Sequence, residues 1–237
     1  MTGGDFISFE AIGSEGADWN RIRVRMHGLN PHVAAPVRVS MFDGAQVENL
    51  SLVLSRPGRV WVDTSCGDAA AFILVDSDDL TLRLSTRSAI HHEVSGAVVR
   101  AVIARLPQLM AQEQSMVCAL QEAIGNAVMH GNLGLDSSLR ATIEGLTQYS
   151  AHMAQRQSDP VLAALPITIR AKIRQDGVDL SVEDQGVGFD PALKRSQTAH
   201  SFVAGGLGIG IIEQSCARMS FSQGGRCVSM AFNKASA

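Results

Sequence analysis

No two of the four cysteines, Cys66, Cys118, Cys216 and Cys227, form a Cys-x-x-Cys pair, and the seven histidines are scattered, so no metal-ligand spacing is present. The thiols are expected to be reduced and mostly buried, as free cysteine commonly serves as a small core residue. No apolar run approaches the roughly 18 to 20 residues that cross a bilayer. The start, Met1-Thr-Gly-Gly-Asp5, lacks the basic and apolar regions of a signal peptide. These absences predict no membrane partner and a cytoplasmic location. Basic residues are not in excess either: 20 Lys and Arg stand against 23 Asp and Glu, a formal net charge of −3. A nucleic-acid surface normally shows a clustered basic face, so no nucleic-acid partner is expected. What is there, 46% hydrophobic and 18% charged residues in a chain of 237, suits an ordinary globular protein of one large or two small domains.

Two units are expected. Residues 1–77 read as a small β-rich domain, with alternation in Arg21–Met26, Val37–Met41, Val47–Leu54 and Arg59–Val62 and turn signals at Asp43-Gly44 and Pro57-Gly58. From Leu80 the texture changes. One strand, Leu80–Leu84, precedes a helical pattern through Val98, Val102 and Leu106, then a second helix from about Glu113 to His130 and a third over about Ser137 to Gln157. Ile167, Ile169, Ala171 and Ile173 alternate with polar residues up to the turn Asp176-Gly177, and Val178, Leu180 and Val182 resume the alternation, which reads as a hairpin. Ile209–Met219 reads helical and Met219–Phe232 as a closing hairpin around Gly224-Gly225. The fold class expected for residues 78–237 is α+β: a two-layer α/β sandwich with a mostly antiparallel sheet and helices on one face.

Three short blocks carry the chemistry. On the second helix, Val117, Leu120, Ile124 and Val128 form an apolar stripe, and Glu122, Asn126 and His130, four residues apart, line up on nearly the opposite face. That line reads either as a solvated face or as a carboxamide able to ligate Mg²⁺ with a general base one turn earlier. The second block is Asp184-Gln-Gly186-Val-Gly188-Phe-Asp190. Its first acid is either a turn aspartate bonded to its own backbone or an acceptor for an adenine amino group, with the glycines clearing space for a planar ring. The third block, Gly205-Gly206-Leu207-Gly208-Ile-Gly210, puts four glycines before a helical stretch, where exposed amides meet phosphate oxygens or merely form a flexible loop. None of these is a P-loop or a dinucleotide fingerprint. In this order and separation the blocks together read as an ATP site.

The blocks resemble the N, G1 and G2 boxes of the GHKL (Bergerat-fold) ATPases, and within them the anti-sigma-factor serine kinases of the RsbW type, over about residues 78 to 237. The resemblance implies the Bergerat ATP-binding fold with ATP and Mg²⁺ as cofactors. Asp184 would hold the adenine and Gly186 and Gly188 would shape its pocket. Asn126 would ligate Mg²⁺, Glu122 would be the catalytic base, and His130 would lie beside the phosphates. Gly205, Gly206, Leu207, Gly208 and Gly210 would form the lid, with Lys194 and Arg195 either on the phosphates or solvated. The implied activity is a serine/threonine protein kinase that phosphorylates a small STAS-like anti-sigma-factor antagonist. A sigma factor would be the competing partner, with a PPM-type phosphatase in the same pathway and a homodimer as a further expectation.

A rival of another class is an ATP-gated switch that sequesters a partner without phosphoryl transfer. A histidine kinase is disfavoured by spacing: His91-His92-Glu93 stands only 30 residues before Glu122, too close for a dimerising helical hairpin, so both histidines are expected at the surface. In the first 77 residues, Arg21 and Arg25 with Asp63-x-Ser65-x-Gly67 faintly resemble a PilZ nucleotide-binding pattern, one residue short. A sensory or docking role is the expectation there.

Overall fold

A computed structural model describes residues 7–12, 37–67, 79–189 and 207–234. The expected strand Arg21–Met26, the boundary at residue 77, and Asp190, Lys194, Arg195, Gly205 and Gly206 lie outside these residues.

One eight-stranded sheet organises the described chain, in the order β1 (Ile7–Ile12), β2 (Val37–Phe42), β3 (Val60–Asp63), β4 (Leu80–Ser85), β5 (Pro166–Arg174), β6 (Gly177–Glu183), β8 (Cys227–Asn233) and β7 (Arg218–Ser222). β1 to β4 pair parallel, while every pairing from β4 through β5, β6 and β8 to β7 is antiparallel. The antiparallel half with its helices is the α/β sandwich expected for residues 78–237. β3 and β4 are hydrogen-bonded neighbours, so strands from either side of residue 77 share the sheet.

The antiparallel strands follow their alternation. Val178, Leu180 and Val182 of β6 and Val228, Met230 and Phe232 of β8 join the core, while Asp179, Ser181 and Glu183 lie on the other face. β3 and β4 are buried along their whole length, the signature of interior strands in a parallel arrangement. Alternation at Arg59–Val62 therefore understated their burial. Helices cover one face: α1 (Leu50–Leu54), α2 (Thr86–His91), α3 (Val94–Arg105), α4 (Glu113–Asn126), α5 (Ile143–Ser158), α6 (Pro160–Ala164) and α7 (Leu207–Ser215). A single apolar layer runs from Phe42 and Trp61 through Leu82, Ile169 and Leu180 to Phe232, packed against Val98, Val102, Leu120 and Ile124.

Three expectations are corrected. Val47–Leu54 is not a strand. Asn49 caps α1 by accepting from Ser51 N–H, and Leu50, Val53 and Leu54 are buried at helical spacing while Leu52 is exposed. The third helix is broken at Thr142, whose hydroxyl accepts from Gly145 N–H and caps α5 after a 3₁₀ turn at Ser137–Ala141. The last helix ends at Ser215, and Arg218 and Met219 already belong to β7.

At the end of β3, Asp63 is 0% exposed and accepts six hydrogen bonds. They come from the backbone of Gly44, Ser65 and Ser85 and the hydroxyls of Ser65, Ser85 and Ser88, at 2.6 to 3.1 Å. Burial alone pushes this carboxyl up, but the donors, Ser88 first among them, hold it below the usual carboxylate range. A depressed native pKa stabilises the fold above the unfolded value and that stability is lost as pH falls through the native one. Asp63→Asn is therefore expected to cost about 2 to 4 kcal/mol in urea unfolding at neutral pH and to flatten the acid side of the stability profile. A variant as stable as the parent, with the same acid limb, would show that the cluster is not the joint described.

Candidate functional site

Local sequence builds the helical wall of the site. α4 buries Met116, Ala119, Leu120, Ala123 and Ile124, which leaves Glu122 and Asn126 half-buried on the other side. After Asn126 the helix widens into a π turn, Ala127–Asn132, in which Leu133 N–H donates to Val128 O at 2.9 Å. Such turns recur at functional sites because they re-aim side chains. Here Asn126 and His130 both line a cleft of about 120 Å³. His130 donates from Nδ1 to Leu135 O at 2.9 Å, which fixes its ring.

The opposite wall is β6 and the turn after it. Asp184 N–H donates to Arg226 O at 3.0 Å, extending the β6–β8 pairing by one residue, and the carboxylate enters the cleft. Its Oδ1 accepts Gly186 N–H at 2.7 Å, so the local turn bond exists alongside the cleft position. Burial raises the Asp184 pKa. The Gly186 bond and the Arg226 charge pull it down, and Glu183 opposes them.

The glycines place backbone against backbone. A Cβ on Gly186 would come within 2.5 Å of Gly131 O, and one on Gly131 within 2.6 Å of Asp184 Oδ1, so these two positions let the G1-like turn seat on the helix end. Gly188 lines the cleft at φ +74°, where a side chain would be strained. Gly208 and Gly210, expected in a loop, fall in the first turns of α7 with Leu207. A Cβ on Gly208 would lie 2.6 Å from Glu122 Oε2 and 3.5 Å from Asn126 Nδ2. Glu122 thus sits under the start of α7, one turn from the cleft residue Asn126.

Four contributions escaped sequence reasoning. Asn132 is buried; its amide donates to Thr86 Oγ1 (2.8 Å), Leu165 O (3.3 Å) and Pro166 O (3.2 Å), and its Oδ1 accepts from Gln185 N–H (2.7 Å). Phe189 and Phe221 meet edge-on, centroids 5.1 Å apart, and with Val182, Ile209, Ile212 and Val228 they make the apolar walls. The β7–β8 turn closes the end: Phe189 N–H donates to Gly224 O at 2.9 Å, and Arg226 lines the cleft with its Nε donating to Gln223 O at 3.2 Å. The only sequence hint of Asn132 was its place directly after the polar line.

Apolar walls around one half-buried acid suit a flat heterocycle with an exocyclic amine. Asp184→Asn is expected to weaken ATP binding by about 1.5 to 3 kcal/mol in calorimetry. Because Arg226 lowers the Asp184 pKa, Arg226→Ala should raise it further. Affinity, lost as the acceptor protonates, then falls off at a higher pH than in the parent. An unmoved acid limb would remove Arg226 from that role.

No curated protein matches the chain significantly. The family model described as the histidine kinase-like ATPase domain matches residues 88–232, more than half of the chain, and spans the π-turn helix, the Asp184 turn, α7 and the closing hairpin. The protein belongs to the histidine kinase-like ATPase domain family.

Proposed function

We propose that the chain is an ATP-dependent serine/threonine protein kinase of the anti-sigma-factor type, acting on a small STAS-like antagonist in competition with a sigma factor, with a PPM-type phosphatase reversing the modification. One observation carries the reading: Asp184 and Asn126 meet in one cleft, and Glu122 lies one helical turn from Asn126. Asp184 accepts from the adenine amino group between the apolar walls. The donor set fits Mg²⁺, for which Asn126 supplies a neutral oxygen while phosphates and water complete the shell. The bound ion neutralises charge on the phosphates. Helix α7 begins beside Glu122 and Asn126, so its N-terminal amides favour the phosphate end of the nucleotide. A serine or threonine hydroxyl then attacks the γ-phosphorus, the bond to the β–γ bridging oxygen breaks, ADP leaves, and the hydroxyl proton passes to the Glu122 carboxylate.

The close approach of Gly208 to Glu122 favours a second reading, in which α7 covers the acid and nucleotide only gates a partner surface. The histidine-kinase reading gains no support. His91 is exposed at the end of the short α2, His92 donates from Nε2 to Gly44 O at 2.8 Å, and α3 packs on α4 directly after them.

Incubation with γ-labelled ATP and candidate antagonists decides between kinase and switch. The kinase predicts label on a partner serine or threonine, and a drop of about 10²- to 10⁴-fold in Glu122→Gln with ATP affinity nearly unchanged. Nucleotide-dependent co-elution without label would establish the switch. Equal loss of binding and transfer in Glu122→Gln would end the base assignment.

A further inference from the structure

A second cavity, of about 630 Å³, opens where β2, β3 and β4 end. Its volume falls within the roughly 300 to 1,000 Å³ of small-molecule sites. The three strands run parallel, so their carboxyl ends converge on one edge, and β4 is the strand at which pairing switches from parallel to antiparallel.

The lining carries more basic than acidic side chains. Arg87, His91 and His92 come from α2 and the residue after it, and Glu48 is the one acid among the lining residues. Arg87 and His91 stand four apart on α2, hence on one face. Both are exposed, and neither side chain takes part in a hydrogen bond or an ion pair among the described residues. His92 is held at the rim by its Nε2 donation to Gly44 O, which leaves Nδ1 as the second ring nitrogen. The hydroxyls of Ser65, Ser85 and Ser88 and the Gly44 amide turn their donors to the ionised, buried Asp63 and not to the crevice. An anion is therefore gripped from the rim. A guanidinium takes a phosphate bidentately, and the His91 imidazole beside it adds a further ring N–H donor.

The crevice is also wired to the other site. Thr86, between the lining residues Ser85 and Arg87, donates its hydroxyl to Leu165 O at 2.8 Å and accepts from Asn132 Nδ2 at 2.8 Å. Asn132 Oδ1 in turn holds the Gln185 amide beside Asp184. We propose that this crevice is a regulatory site for a small phosphorylated metabolite, whose occupancy reaches the nucleotide cleft through Thr86 and Asn132. The regulatory half rests on the ATP reading above; the binding half does not.

Calorimetric titration of the nucleotide-free full chain with glycerol 3-phosphate tests the binding half. Saturable binding is expected in the parent and in Asp184→Asn, weakened about tenfold or more in Arg87→Ala and in His91→Gln. Both substituted side chains are exposed, so unfolding temperatures should match the parent. Absence of saturable heat, or binding that vanishes in Asp184→Asn and persists in Arg87→Ala, overturns the site, the second outcome by placing the phosphate in the nucleotide cleft. Equally tight binding of succinate overturns the phosphate assignment. A separate titration of the parent with ATP checks the nucleotide reading. If ATP binds, glycerol 3-phosphate should shift its affinity, and ATP should shift that of glycerol 3-phosphate by the same factor. No shift in either direction overturns the regulatory half alone.

Discussion

The carboxamide of Asn132, 3% exposed, holds together three segments remote in sequence. Its amide reaches the start of α2 and the junction between α6 and β5, and its oxygen holds the turn that carries Asp184. A buried amide left without these partners would cost about 1 to 3 kcal/mol per orphaned group, so the segments are fixed together or not at all. The contact of Gly186 with Gly131 follows from the same constraint. The turn is drawn down until backbone meets backbone, and no side chain is tolerated there. The cleft is the space left above that joint.

Charge is handled differently at two acids, Asp63 at the end of β3 and Asp184 directly after β6. Asp63 is sealed and fully supplied with donors, which keeps it ionised inside the fold and makes it a rivet between β3, β4 and α2. Asp184 receives one backbone donor and the field of Arg226, and its pKa stays raised by burial. An acid with spare acceptor capacity in an apolar cleft is suited to a ligand, whereas an acid with six donors is suited to structure. The same residue type thus serves opposite ends, set by how many donors surround it.

Much of this was legible in the chain. The spacing of four between Glu122 and Asn126 survives in α4, with His130 carried on into the π turn, and the alternation of Ile167–Val182 survives as β5 and β6, because both patterns reflect one buried face. The first third was harder. Val47–Leu54 mixes valines and leucines that suit a strand by composition, and only the Asn49 cap and the burial of Leu50, Val53 and Leu54 decide for a helix. β3 and β4 are buried on both faces, so the alternation of Leu80, Leu82 and Leu84 with Thr81 and Arg83 wrongly implied a wet face. The roles of Phe221 and Arg226 were hidden because the β7–β8 turn meets Phe189 only after the sheet has formed.

Local order alone set the helix with its polar line, the hairpin, the glycine-bearing turn after β6 and the family to which they belong, since each is a pattern of neighbours within a few turns of chain. Tertiary packing chose the rest: that β1 to β3 join the same sheet, that Asn132 ties the Asp184 turn to α2, that α7 starts over Glu122, and that three parallel strand ends open a basic crevice. Those contacts join residues tens of positions apart. Their energies come from shared burial and hydrogen-bond satisfaction, quantities that exist only once the chain has closed on itself.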